Sequence, residues 1–87
     1  MRRRIYDDAV RAVDDDYAAQ LDLDAVARRI ATSRRQLQRV FAEVGHTTFR
    51  AHLAAVRLDR AAELLRGAPS LPVREVARRV GYRQPAQ

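Results

Sequence analysis

Residues 33–45 read SRRQLQRVFAEVG, and this stretch decides the fold. Ser33 suits a helix N-cap, and Gln36 stands three residues on, the spacing of a capping box. Gly45 can take the left-handed conformation that closes a helix. Between them Leu37, Val40, Phe41 and Val44 recur at steps of three, one and three, so they share one face. The pattern predicts one short helix. Arg34, Arg35, Gln38, Arg39 and Ala42 fall elsewhere on its surface, with Arg35, Gln38 and Arg39 together on the side away from the core. Arg and Gln can each hydrogen-bond a base edge through two contacts. On an isolated helix such a face is ordinary wetted surface, so its meaning rests on what flanks it.

Upstream, Asp22 is placed to cap a helix over 23–30, with Asp24 favourable in its first turn. Leu23, Val26, Ala27 and Ile30 make the inner face, and Ala27 permits close approach of the next helix. Ala31-Thr32-Ser33 then turns the chain into the opening stretch. A short helix, a three-residue turn and a second helix form the helix-turn-helix pattern. Ala31 stands where Gly commonly relieves a positive φ, at a cost of ~1 kcal/mol. Further upstream, Ile5, Ala9, Val10 and Val13 predict a first helix over 3–16, with Arg4–Asp8 and Asp7–Arg11 as i,i+4 ion pairs. Asp14-Asp15-Asp16 crowds negative charge at the negative end of the helix dipole, so fraying is expected there.

Downstream, Thr48 caps a longer helix over about 49–66, carrying Leu53, Val56, Leu58, Ala61, Leu64 and Leu65. Eighteen residues at the helical rise span roughly 27 Å. With no Pro or Gly inside, the rod is stiff. Gly67 and Pro69 stop it, and Pro72 stands where another helix can start. Val73, Val76, Ala77 and Val80 then repeat the inner-face spacing of 23–30. DAVARRIA (24–31) matches REVARRVG (74–81) through a shared VARR, so a second helix-turn-helix begins here, with Gly81 supplying the turn glycine.

Composition narrows the chemistry. The 87 residues suffice for one small domain or two very small lobes. The absence of cysteine removes disulfides and thiolate sites. No apolar run reaches the ~18 residues of a membrane span, and the Met1-Arg2-Arg3-Arg4 start is not followed by a signal-type apolar run. A cytoplasmic location is the expectation. Net charge is +6, carried by Arg alone. Residues 1–24 hold four Arg against seven Asp, whereas 25–87 hold thirteen Arg against four acids. The basic part suits a polyanion, with counterion release driving association. A GC-rich genome also enriches Arg and Ala, so charge alone decides little. His46 and His52 lack the acids or cysteines of a metal set. No phosphate loop or nucleophile triad is present, so neither an enzyme nor a cofactor is expected.

Three segments carry a family resemblance: LDAVARRIATSRRQLQRVFAEVG, HLAAVRLDRAAELL and VREVARRVGYRQPAQ. Together they resemble the DNA-binding domain of AraC/XylS-type bacterial transcription regulators. The most specific element is RL-x-x-A-x-x-LL at Arg57, Leu58, Ala61, Leu64 and Leu65, followed by V-A-x-x-V-G-Y. The resemblance implies an all-α fold. Two helix-turn-helix units, the second incomplete, flank a long central helix, dividing the chain into 1–47, 48–67 and 68–87. It implies binding to double-stranded DNA in successive major-groove segments ~34 Å apart. Base contacts would fall on Arg35, Gln38 and Arg39 and, at the start of the second recognition helix, on Gln84, Ala86 and Gln87. Phosphate contacts would fall on Thr32, Ser33, Arg34 and Arg83. The chain departs from the family in a longer GHTTF turn and in Arg83 at a capping position. It also lacks the later core of the second recognition helix. A fragment of a longer regulator is the expectation. The alternative function is a protein-interaction module that contacts RNA polymerase or dimerises. The operator, effector and oligomeric state are not legible in the residues.

Overall fold

The structure, a computed structural model, describes residues 1–83. Five helices follow in order: α1 (Arg2–Asp16), α2 (Leu23–Arg29), α3 (Arg34–Glu43), α4 (Phe49–Gly67) and α5 (Val73–Arg79). The described residues form no strand. Three helix starts are fixed by side chains that accept a backbone N–H three residues on. Asp22 takes Ala25 N at 2.8 Å, Ser33 takes Gln36 N at 3.0 Å, and Thr48 takes Ala51 N at 3.0 Å. Each satisfies a donor that the helix itself leaves free.

α1, α2, α3 and the start of α4 enclose one core of Ala9, Ala12, Val13, Val26, Ala27, Leu37, Phe41, Phe49 and Leu53. Phe41 lies at its centre with no exposure. Its ring meets Tyr6 from α1 at 5.5 Å, Phe49 at 5.8 Å and His52 at 5.6 Å, the last two from α4. The Tyr6 and Phe49 contacts are edge-on, the arrangement that opposite ring quadrupoles favour. Close packing at Tyr6 also explains Gly45, where a Cβ would stand 2.6 Å from Tyr6 Cε1.

Several expected details are corrected. Gly45 does not take the left-handed conformation; His46 does, with φ 54°. Thr47 N donates back to the Phe41 carbonyl at 3.1 Å, six residues away, one more than the long bond of a Schellman closure spans. Gln36 does not complete a capping box with Ser33; its Oε1 accepts from Thr32 Oγ1 at 3.1 Å. On α1 the pairs are Arg3–Asp7 and Asp8–Arg11 rather than Arg4–Asp8 and Asp7–Arg11. The arginines of these pairs are largely exposed and the carboxylates about half so, and i,i+3 and i,i+4 neighbours are equally near, so the choice carries little energy. Asp16 does not simply fray into solvent, since it pairs with Arg29 of α2.

α5 packs on α4 outside the main core through Val76 and Val80, which are buried. Pro72, expected in the first helical turn, is instead the N-cap, and α5 begins at Val73. Val73 is 76 % exposed, although the repeat predicts it inward like Leu23. Leu23 packs against the main core, whereas α5 packs chiefly on α4 among the described residues. On α4 the inward stripe is Leu53, Val56, Arg57, Arg60 and Leu64, which leaves Leu58 (64 %) and Leu65 (38 %) on the far side.

The two turns are copies in backbone. Ile30 N, Ala31 N and Thr32 N donate to the carbonyls of Val26, Arg28 and Ala27, and Val80 N, Gly81 N and Tyr82 N donate to those of Val76, Arg78 and Ala77. Ala31 holds φ 59° and Gly81 φ 108°. Ala31 is exposed, so Ala31→Gly is expected to raise the unfolding free energy by ~0.5–1 kcal/mol, measured by urea denaturation. Phe41→Ala is expected to cost ~3–5 kcal/mol in the same measurement, a large part of a small domain's stability.

Candidate nucleic-acid interface

The candidate surface is the outer face of α3. Its inner face, Leu37, Val40 and Phe41, is fully buried, so the rotation of the helix about its axis is fixed. Arg35, Gln38 and Arg39 are consequently exposed. Among the described residues none of the three joins an ion pair. Arg35 and Arg39 line a shallow cleft together with Arg2 and Ser33. Arg2 reaches this cleft from α1 and is paired with Glu43 at 2.5 Å.

The residues expected at phosphates are arranged differently. Ser33 is exposed and its hydroxyl already caps α3. Thr32 is half-buried, with its hydroxyl donating to Gln36. Arg34 donates to Asp24 Oδ2 at 3.0 Å, and both groups are at least half exposed. So open an ion pair is worth ~0.2–1 kcal/mol and yields easily to another anion. Arg83 is exposed. Gln84, Ala86 and Gln87 lie outside the described residues.

Pairing sorts the remaining arginines. Glu75 accepts from Arg78 through both carboxylate oxygens, at 3.1 and 2.5 Å, and from Arg79 Nε at 2.8 Å. The Arg78 and Arg79 hydrogen bonds hold the Glu75 carboxyl down at about 2, and Glu75 raises the Arg78 guanidinium in return. The VARR arginines of α5 are thus tied to their own helix. Arg29 of α2 is tied to Asp16. The thirteen Arg of residues 25–87 therefore overstate the free positive charge, and what remains on α3 is Arg35 and Arg39.

Sequence reading missed two arginines of α4. Arg50 stands at the helix start, lining a cleft with Arg34, Phe49 and Tyr82 that joins the two turn regions. Arg57 ties α4 to the loop between α1 and α2: Nε donates to the Tyr17 carbonyl at 2.8 Å and Nη2 to the Ala19 carbonyl at 3.0 Å. The available signal was position. Arg57 follows Leu53 by four and Val56 by one, which places it on the inward stripe.

No group of His, Cys, Asp or Glu able to hold a metal occurs among the described residues. His52 packs on Phe41 and its Nε2 is buried without a partner. No helix among the described residues is long and apolar enough to cross a membrane. A family model described as a helix-turn-helix domain matches residues 26–87, from the middle of α2 through α5 and beyond. No curated protein and no solved structure matches the chain.

A pH titration followed by NMR tests the Glu75 pairing. Its carboxyl is expected to titrate with a midpoint near 2, against the ordinary 4.5. Because the folded value is the lower one, the pairing stabilises α5 above about pH 4.5 and is lost as pH falls toward 2. Arg78→Ala should move the midpoint upward.

Proposed function

Because the chain belongs to the AraC-type helix-turn-helix family, whose members bind DNA and regulate transcription, we propose that α3 is its first recognition helix and enters the major groove. Arg35, Gln38 and Arg39 meet base edges there. Arg and Gln are the side chains that form paired hydrogen bonds with guanine and adenine. Thr32, Ser33, Arg34 and Arg83 lie on the phosphate side and set register without reading sequence. Gln84, Ala86 and Gln87 begin the second reader, across a central helix at 48–67 that separates units at 1–47 and 68–87.

One observation carries this reading. Arg35, Gln38 and Arg39 are exposed together on a helix whose opposite face is locked in the core, and none is engaged by an acid of the described chain. Among the described residues these donors are left for an outside acceptor. Arg34, held by Asp24, is placed to exchange that carboxylate for a phosphate. A protein contact through the outer side of α4 is a second reading, favoured by the exposure of Leu58 and Leu65.

Binding to a duplex selected from a random pool, followed by fluorescence anisotropy against salt, separates the roles. Arg39→Ala is expected to lose ~1–3 kcal/mol of discrimination at one base pair. Arg34→Ala is expected to weaken specific and random duplexes equally and to reduce the salt slope by ~1. Equal losses from Arg39→Ala on both duplexes would move Arg39 to the phosphates.

A further inference from the structure

We propose that Arg57 is the positioning residue that fixes the pose of the second turn against the first helical group, and with it the spacing at which the two units meet a duplex. The inference rests on the reading that both units face DNA. Its structural half stands without DNA.

Arg57 is a half-buried guanidinium on the inward stripe of α4. Its fork closes on two carbonyls of the loop between α1 and α2, Tyr17 O at 2.8 Å and Ala19 O at 3.0 Å. Tyr17 is the C-cap of α1, at the negative end of that helix, where a cation is favoured. The other side of the same guanidinium lies over the ring of Tyr82, 5.3 Å from its centroid. Tyr82 is the residue whose N–H closes the second turn on the Ala77 carbonyl. One side chain thus touches the first helical group, the central helix and the second turn.

Gly81 makes the junction tighter. A Cβ there would stand 2.8 Å from Tyr17 O and 2.9 Å from Arg57 Nε. The second turn is therefore seated on the same carbonyl that Arg57 holds. A planar fork with several fixed donors can satisfy two carbonyls and a ring face at once, whereas a lysine ammonium is a point donor on a loose stem. Two units held in one pose bind a duplex as one body, and the second contact then becomes intramolecular.

The chain has no cysteine, so spin labels can be placed at will. Pulsed electron–electron distances between labels at Ala42→Cys and Arg74→Cys report the pose of α3 against α5. A second pair, Asp15→Cys and Ala42→Cys, reports the first helical group alone. With Arg57 present, both distributions are expected to be narrow. Arg57→Met should at least double the width of the first and leave the second unchanged. Arg57→Lys, which retains charge without the fork, should broaden the first pair to a lesser degree. An unchanged first distribution in both variants would overturn the proposal. Should Arg57→Met broaden the control pair as well, Arg57→Lys decides, and a narrow first distribution in it would overturn the proposal equally. On unlabelled protein, Arg57→Lys should lose ~10-fold in affinity for a duplex long enough to engage both units, and little for a duplex offering one groove segment. Broadened distances with equal losses on both duplexes would keep the clamp and overturn its role in DNA spacing.

Discussion

Phe41 is the side chain on which the first part of the molecule converges. α1 reaches it through Tyr6 and α4 through Phe49 and His52, while α3 supplies it. A helix of ten residues is too short to hold its own shape in water. Its order comes from the burial of Leu37, Val40 and Phe41, each worth ~1.5–3 kcal/mol when fully removed from water. That burial also aims the helix. With three residues locked inward, Arg35, Gln38 and Arg39 have no freedom to turn away from solvent. The polar surface of α3 is therefore a consequence of its apolar one.

The second unit obeys the same local rules with less support. Its turn repeats the backbone hydrogen bonds of the first, residue for residue at VARR. Its core is thinner, because among the described residues Val76 and Val80 pack chiefly on α4 and Val73 is exposed. Polar contacts make up part of the difference: Glu75 gathers Arg78 and Arg79 within α5, while Arg57 and Gly81 join the turn to the loop after α1. The first unit is thus ordered by apolar burial, and the second rests on α4 through Val76 and Val80, with its turn seated against the Arg57 guanidinium through the Tyr82 ring.

Much of this was legible in the residues. Asp22, Ser33 and Thr48 act as caps where their spacing put them, and the VARR repeat marks two turns of one design. The family assignment rests on the same stretches, since the family model runs from Val26 to Gln87. The misses share a cause. Period and capping rules describe a helix and its own ends, not what lies across from it. Val73 has the right spacing to be buried, but no neighbour among the described residues covers it. Gly45 reads as a helix stop, yet its missing Cβ makes room for Tyr6, and the left-handed residue is His46. Arg57 was read only as part of the RL-x-x-A-x-x-LL pattern, with no partner assigned to it. Its partners are carbonyls forty residues away, which no local pattern encodes.

The central claim is that the locked helix α3 presents the chain's contact surface for DNA. The most direct measurement is an NMR titration of the isotope-labelled chain with a selected duplex, following backbone amides and the arginine and glutamine side-chain N–H signals. The largest changes are expected at Ser33 to Arg39, with the side chains of Arg35, Gln38 and Arg39 foremost, and little change at Asp14 to Asp16. Changes centred on Leu58 and Leu65 instead, with Arg35 and Arg39 unmoved, would contradict it.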